Sequence, residues 1–243
     1  MARRYTGGFI SATEQATDSN TANGIFTLAE AQEKTALGNF PTGRWTPSRS
    51  LRFRNSNSAY ISRTPSVAGN KKTWTISFWL KTTKSNFDYY LLEASTNSTT
   101  DRTPIGFNAG KLNIRHIDAN STVCTIETTQ VFRDPSAWYH IVIAFDTTQA
   151  IDLNRVKVYV NGSQVTSFGT ATYLAQNTAS RINQALAHQL GRYISATNYF
   201  DGYMAEVNFV DGQALTASSF GQFDANNNWL PKGYTGTYGT NGY

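Results

Sequence analysis

The sequence predicts an all-β domain in which two antiparallel sheets pack face to face as a sandwich. Short segments that alternate between apolar and polar residues recur along most of the chain, and turn residues separate them. Aromatic residues make up 13% of the 243 residues and charged residues only 15%. This composition suits strands joined by polar turns, since aromatic and β-branched side chains favour a pleated surface.

Three regions differ in composition. Residues 1–49 are expected to form an irregular arm or anchor with one short helix, which begins at the capping box of Thr27 and Glu30 and ends before Gly38. Residues 50–223 carry the alternating segments of the sandwich. Residues 224–243 are rich in Gly and Tyr, and we expect an extended or looped arm there.

Strands are predicted at residues 51–54, 59–62, 73–81, 89–93, 105–108, 111–117, 138–145, 155–160, 163–165, 189–193 and 202–210. In the third of these, Trp74, Ile76, Phe78 and Leu80 share one face. Segment 138–145 is apolar on both faces, which predicts a central strand.

Two dipeptides predict hairpin turns. Asn161-Gly162 stands between two alternating segments, and Ala109-Gly110 joins another pair. The Asn-Gly pair is the stronger signal, because both of its residues tolerate the positive φ that a tight hairpin needs. A single helical turn is expected at residues 214–220, after the last core strand.

Charge and cysteine content argue against several classes of function. The net charge of +5 is modest and the basic residues are mostly scattered, so we expect no nucleic-acid partner. No apolar stretch approaches the roughly 18 residues of a membrane span, so no membrane insertion is expected. Cys124 is the single cysteine; it cannot form an internal disulfide and should pack as a small apolar residue.

In order and spacing, the alternating segments resemble laminin-G-like domains of the concanavalin A-like lectin/glucanase superfamily. The resemblance is carried by residues 50–53, 59–61, 74–81, 138–142, 156–162, 200–207 and 214–216. It covers residues 50–223 and implies a jelly-roll sandwich. The flanks, at residues 24–41 and 229–242, resemble segments of virion proteins from tailed bacteriophages.

These resemblances imply a non-enzymatic structural or accessory virion protein, such as a capsid decoration or a tail fibre or collar component. It would assemble in the host cytoplasm with other virion proteins, form a homo-oligomer and adhere to host-surface glycans. A free-standing lectin-like carbohydrate-binding module is the alternative, and a glycoside hydrolase ranks third.

The residues that hydrolysis would require are not found in the sequence. Glucanases of the superfamily carry a Glu-x-Asp-x-x-Glu strand, whereas Glu93 and Glu206 each stand alone here. The histidines are isolated in sequence, and His140 is expected to be a hydrogen-bonded residue of the core. We therefore expect no enzymatic activity.

Carbohydrate binding would use loop aromatics that stack on sugar rings, beside amides and carboxylates that bond the hydroxyl groups. The candidates are Phe87, Asp88, Tyr89, Tyr90, Tyr193, Asn198 and Tyr199. The alternative is that these residues pack on the core or on a neighbouring subunit.

No cofactor is expected to be required, but calcium is left open, because laminin-G-like domains often bind it through loop oxygens. Asp146 and Asp201 are the candidate ligands, at turn positions that resemble those of the family. Capping of the turns would explain both residues without a metal.

Overall fold

The computed structural model describes residues 4–6, 9–11, 47, 49–84, 87–96, 98–193 and 198–243. The chain divides into two units, Met1–Thr46 and Pro47–Tyr243. The described part of the first unit consists of two short strands, β1 (Arg4–Thr6) and β2 (Phe9–Ser11), which pair antiparallel. The helix predicted after Thr27 lies outside the described residues.

The described strands of the second unit are, in chain order, β3 (Leu51–Phe53), β4 (Ile61–Arg63), β5 (Thr73–Thr82), β6 (Tyr89–Ser95), β7 (Arg102–Asn108), β8 (Lys111–Asp118), β9 (Ser121–Val131), β10 (Tyr139–Asp146), β11 (Val156–Val160), β12 (Ser163–Gln164), β13 (Phe168–Thr172), β14 (Ala187–Leu190), β15 (Gly202–Asp211), β16 (Gly221–Phe223) and β17 (Trp229–Pro231). Short 3-10 helices lie at Asn55–Asn57, Asp152–Asn154 and Ala217–Ser219.

These strands form two large sheets, and every strand pairing in them is antiparallel. The six-stranded sheet has the order β12-β11-β10-β5-β15-β3, and the seven-stranded sheet has the order β13-β9-β8-β7-β6-β14-β4. The predicted two-sheet sandwich is therefore confirmed. A separate hairpin, β16–β17, follows the last core strand.

The main core fills the space between the two sheets. Trp74, Ile76, Phe78 and Leu80 are all fully buried in it, as the alternation in β5 predicts. The Trp74 ring stacks on Phe145 with a centroid distance of 4.6 Å. Each fully buried side chain of this kind stabilises the fold by about 1.5–3 kcal/mol. Burial in this unit is thus the main reason that the two sheets stay together.

A second apolar cluster lies on the outer face of the six-stranded sheet. Val142 and Ala144 of β10 face it, and Phe220 and Trp229 from the C-terminal segment pack over them. This explains why segment 138–145 is apolar on both faces: one face meets the core and the other meets the end of the chain.

His140 joins this cover to the sheet and is buried, as predicted. The Trp229 indole Nε1 donates a hydrogen bond to Nδ1 of His140 over 2.9 Å. Because Nδ1 accepts, Nε2 carries the proton and donates it to the Ser77 hydroxyl, also over 2.9 Å. Burial lowers the pKa of His140 to about 3, so the ring is neutral near pH 7.

The predicted hairpin turns are both present. Asn161 and Gly162 have φ of 47° and 84°, and Ala109 and Gly110 have φ of 48° and 72°. At Gly162 a second reason for glycine appears only in three dimensions, because a Cβ atom there would lie 2.3 Å from the Trp229 ring. Cys124 is buried as expected, and this burial raises the pKa of its thiol to about 12.

The last residues of the chain are fastened to the sandwich by buried polar contacts. Asp211 accepts hydrogen bonds from Asn183 Nδ2 over 2.5 Å and from the Asn241 backbone N–H over 3.1 Å. Asn241 in turn donates through Nδ2 to the Val67 carbonyl and to Asn183 Oδ1, both over 2.9 Å. Tyr243 exchanges two backbone hydrogen bonds with the last core strand. Residues 224–243 therefore contact the sandwich closely.

Candidate functional site

A groove of about 400 Å³ runs over the outer face of the seven-stranded sheet. Its floor is β7, whose buried residues Ile105 and Phe107 point into the core, while Pro104, Gly106 and Asn108 line the groove. The first two of these have little or no side chain above the sheet. Longer side chains on β6 and β8 stand on either side, so a trough forms along β7.

The floor of the groove has no room for a side chain at position 106, which is Gly106. A Cβ atom at this position would lie only 2.2 Å from the Tyr89 carbonyl oxygen of the neighbouring strand. Any larger residue would therefore push the two strands apart, and the depth of the groove depends on this glycine.

Polar side chains dominate the lining of the groove, and they come from four adjacent strands and two loops. The lining residues are Asp88, Tyr90, Pro104, Gly106, Phe107, Asn108, Asn113, Arg115, Thr125, Glu127 and Asn198.

Aromatic rings form one wall of the groove. The Tyr90 ring stacks on Tyr193 with a centroid distance of 4.6 Å and an angle of 28°. Arg115 reaches across β7 from β8, and its Nη2 donates a hydrogen bond to the Tyr90 hydroxyl over 2.9 Å. The Arg102 guanidinium lies over the Tyr193 ring at 4.7 Å. These contacts hold the two rings in fixed positions.

Carboxylates and amides occupy the end of the groove that lies near the β7–β8 turn. Glu127 Oε2 accepts hydrogen bonds from Asn108 Nδ2 over 2.9 Å and from Asn113 Nδ2 over 3.0 Å, and Lys111 Nζ lies 3.7 Å from Oε1. Asp88 Oδ1 accepts a 2.6 Å hydrogen bond from a backbone N–H of the β7–β8 turn. This end therefore presents pre-oriented donors and acceptors.

The residues predicted to bind sugar divide into two groups. Asp88, Tyr90 and Asn198 line the groove, and Tyr193 stacks on Tyr90. The remaining three are buried and point away from solvent: Phe87, Tyr89 and Tyr199. Phe87 and Tyr89 belong to the main core and stack on each other at 5.1 Å, so their rings are not available to a ligand.

Groove residues on β8 and β9 were missed. Asn113, Arg115 and Glu127 alternate with the buried Ile114 and Ile126, so a period-two count along both strands would have marked them as outward-facing. The sequence gives no signal that strands β6 to β9 lie side by side.

The two aspartates predicted as calcium ligands lie at opposite ends of β5. Asp146 is paired with Thr73, while Asp201 precedes the residue that pairs with Thr82. Burial raises the pKa of Asp146, but hydrogen bonds from Thr148, Gln149 and Thr73 outweigh it and lower the pKa. Asp201 forms an ion pair with Arg52 at 2.8 Å. The structure thus engages Asp146 in contacts of its own turn and Asp201 in an ion pair with β3, and it does not bring the two together.

Among the described residues, no group of three or more His, Cys, Asp or Glu side chains is arranged to hold a metal ion. The carboxylates considered for hydrolysis are also separated. Glu93 is buried in β6 of the seven-stranded sheet, with Arg102 Nη1 3.5 Å away, whereas Glu206 lies on a bulge of β15 in the other sheet. Burial raises the pKa of Glu206.

A second cavity, of about 450 Å³, opens on the side of the six-stranded sheet. Trp79, Trp138 and Trp229 line it together with Ala205, Leu230 and two prolines, so its walls are mainly apolar. Arg49 and Ser50 are its polar side chains.

No helix in the described part of the chain is both long enough and apolar enough to cross a membrane.

The paired strands define a two-sheet antiparallel β-sandwich domain. A laminin G-type family model, described as the concanavalin A-like lectin/glucanases superfamily, matches residues 55–219. The chain therefore belongs to this superfamily. A comparison with curated protein sequences finds no significant match.

Solved structures that are similar to this chain include a laminin region, a sialidase and a pentraxin. The LG1–3 region of the laminin α2 chain has a TM-score of 0.50 at 12% identity, over 70% of this chain and 33% of that one. A mutant of the NanB sialidase from Streptococcus pneumoniae has a TM-score of 0.50 at 14% identity, over 74% and 30%. A heptameric pentraxin from Limulus polyphemus has a TM-score of 0.44 at 17% identity, over 71% and 75%.

This chain thus spans about a third of the laminin and sialidase chains that it matches. At such low identities the similarity concerns the fold alone.

Proposed function

We propose that this domain binds carbohydrate non-covalently in the groove over β7. The observation that carries the proposal is the groove itself, which combines an aromatic wall with a dense set of oriented donors and acceptors. Sugar rings present an apolar face and a rim of hydroxyl groups. A site that binds them needs both features within reach of one ligand.

The aromatic wall supplies the apolar part. The Tyr90 ring is half-buried and held by the Tyr193 stack and the hydrogen bond from Arg115, so it loses little conformational freedom when a ligand binds. Tyrosine is suited to such a role, since a ring with two side-chain torsions offers a large contact area at low entropic cost.

The hydroxyl groups of a sugar can both donate and accept, and the groove offers partners for both. The carboxylate oxygens of Asp88 and Glu127 accept, while the amides of Asn108 and Asn113 do both. Because hydrogen bonds within the protein already orient these groups, little ordering is required on binding.

Binding without hydrolysis is the activity that these carboxylates support. Glycoside hydrolysis needs one carboxyl group that is protonated and can donate to the leaving oxygen. Glu127 instead accepts hydrogen bonds from two amides and lies 3.7 Å from Lys111 Nζ, so its oxygens are already engaged as acceptors within the protein. We therefore infer that the domain is not an enzyme.

The apolar cavity beside Trp79 fits a sugar less well. Its polar side chains are Arg49 and Ser50, too few to bond the hydroxyl rim of a saccharide, so binding there would leave hydroxyl groups without partners. The polar groove over β7 is the better site on this ground.

A glycan array probed with the full chain tests the proposal. Binding should fall about tenfold in Tyr90→Ala, in proportion to a lost stacking contact of 1–2 kcal/mol. Tyr203→Ala is the matched control, since Tyr203 is a partly exposed tyrosine of the six-stranded sheet. An array without any positive glycan, or equal loss in both variants, would refute the proposal.

Two further readouts separate the alternatives. Bound glycans should release no reducing ends on incubation with the protein; release that is lost in Glu127→Gln or in Glu93→Gln would establish a hydrolase. Binding should also persist in EDTA, because the groove supplies its own charged and polar contacts. Loss of binding in EDTA would favour a calcium site.

The setting that we propose is a bacteriophage virion, in which the protein is a structural or accessory component that assembles with other virion proteins as a homo-oligomer. The support is the resemblance of residues 24–41 and 229–242 to flanks of phage virion proteins. Quantitative mass spectrometry of purified particles tests it. Hundreds of copies per particle would indicate capsid decoration, about a dozen would indicate the tail, and none would reject the setting.

A further inference from the structure

We propose that the ligand of the groove carries a negatively charged group, a carboxylate or a sulfate ester, which binds to Arg115. This inference rests on the proposed function and narrows it from carbohydrate in general to acidic carbohydrate. It follows from the distribution of charge along the groove.

Three charged side chains among the described residues line the groove, and hydrogen bonds or an ion pair already engage the two carboxylates. Glu127 faces Lys111 and accepts hydrogen bonds from two amides, and Asp88 accepts one from the β7–β8 turn. Arg115 is different. No carboxylate of the described residues forms an ion pair with it, and its Nε is buried without a hydrogen-bond partner there.

A half-exposed guanidinium without a counterion, with one of its nitrogens buried and unpaired, is an unfavourable arrangement, and the charge of an anionic ligand would relieve it. Its planar fork matches the two oxygens of a carboxylate or a sulfate ester. The hydrogen bond from Nη2 to the Tyr90 hydroxyl fixes the orientation of this fork over the floor of the groove.

The two ends of the groove differ in charge, so a ligand with one acidic group should bind in one orientation. Arg115 lies beside the Pro104 end of the floor, whereas Asp88 contacts the turn after Asn108, at the other end. Four residues of strand separate these ends, which is about 13 Å. The acidic group should therefore lie at the arginine end, with neutral hydroxyl groups near Asp88 and Glu127.

The test compares oligosaccharides that differ only in charge. Oligomers of galacturonic, glucuronic and mannuronic acid, and sialyllactose, are titrated into the full chain beside their methyl esters, which keep the ring and remove the charge. Lactose sulfate is titrated beside lactose in the same way. At least one acid should bind about tenfold more tightly than its ester, and its affinity should fall as sodium chloride is added.

Variants locate the effect. Arg115→Gln should weaken binding of the acid by a larger factor than binding of the ester, because the ester loses only the support that Arg115 gives to the Tyr90 ring, and Arg115→Lys should retain part of the preference. Lys157→Gln is the matched control, because it removes one positive charge from β11 in the other sheet. If Arg115→Gln does not fold, the comparison of acid and ester on the unaltered chain still decides.

The results can reject the acidic preference without rejecting carbohydrate binding in the groove. Neutral glycans or esters that bind as well as the acids, with no effect of Arg115→Gln, would overturn the acidic preference and leave carbohydrate binding intact. A sulfated glycan that binds while every carboxylate fails would retain the anionic requirement and assign it to sulfate. Failure of all these ligands together with a blank array would overturn both.

Discussion

The two outer faces of the sandwich differ in what covers them. Phe220, Trp229 and Tyr234 of the C-terminal segment lie on the apolar outer face of the six-stranded sheet. The outer face of the seven-stranded sheet is polar around β7, and groove residues such as Asn108 and Arg115 remain exposed or half-exposed.

Under the proposed function, this difference assigns stability to one face of the fold and recognition to the opposite face. A face covered by its own chain contributes buried apolar area, and its side chains are not available to a ligand. A polar open face contributes little to stability, so its side chains can be chosen for binding. The comparison predicts that substitutions on the first face reduce stability and those on the second reduce binding.

The largest expected effect is the loss of Phe220. Phe220→Ala removes a fully buried ring from the cover and should lower the free energy of unfolding by about 3–5 kcal/mol. Urea unfolding followed by tryptophan fluorescence measures this loss. Tyr90→Ala, on the open face, should cost about 1 kcal/mol or less in the same experiment. Equal losses in the two variants would contradict the distinction between the faces.

The second-largest expected effect is a loss of stability in acid, which arises at His140 on the covered face. The pKa of His140 is about 3 in the folded chain, below its value of about 6.5 in an unfolded chain. The unfolded state therefore binds a proton first, so stability is complete above pH 6.5 and falls as the pH decreases toward 3. At pH 5 the loss from this group alone is about 2 kcal/mol.

Urea midpoints at pH 7 and pH 5 measure this loss. Burial also lowers the pKa of His116 and of His188, so some dependence on pH should remain in His140→Gln. The urea midpoint of that variant should nevertheless change less between pH 7 and pH 5 than the midpoint of the unaltered protein, whatever the stability of the variant at pH 7. An unchanged pH dependence would show that His140 is not the group responsible.

The polar anchor of the chain end should matter less. Asn241→Ala removes two buried hydrogen bonds and leaves the Val67 carbonyl and Asn183 Oδ1 short of a donor, at a cost of about 1.5 kcal/mol. Differential scanning calorimetry detects the change. Asn226→Ala, in an exposed turn, is the control and should unfold at the same temperature as the unaltered protein. A smaller loss in Asn241→Ala than in the control would exclude the anchor.

The smallest expected effect lies in the groove. Glu127→Gln keeps the shape of the side chain but replaces a charged acceptor by a neutral one. Glycan affinity should fall about threefold, since a single hydrogen bond at a partly exposed site contributes only about 0.5–1 kcal/mol. Isothermal titration calorimetry resolves such a change. A loss beyond a hundredfold would mean that Glu127 has a role other than hydrogen bonding.

Much of the fold could be predicted because its signals are local. The alternation of Trp74, Ile76, Phe78 and Leu80 reports one buried face directly, and the Asn161-Gly162 turn follows from the backbone freedom of two residues. Among the strands of the second unit, β9, β16 and β17 were not predicted, and neither was β13. Four of its five residues are exposed at the edge of a sheet, so no apolar pattern marks it.

The candidate site was predicted less completely, and the Tyr89-Tyr90 pair shows why. Both are aromatic residues at the start of β6, yet Tyr89 enters the core and Tyr90 forms the wall of the groove. A bulge between Tyr90 and Leu92 then places two successive leucines, Leu91 and Leu92, in the core. An irregularity of this kind depends on the partner strand and breaks the simple count of two.

The sequence by itself determined the all-β class, the alternation that buries one face of each strand, and the position of the tight turns. Each of these depends on neighbouring residues and on the period of the backbone. Tertiary structure alone decided that strands β6 to β9 lie side by side, that Pro104 and Gly106 form the floor of a trough, and that Arg115 reaches Tyr90 across it. Contacts between residues far apart in the chain depend on sheet order and register, which a period of two leaves open.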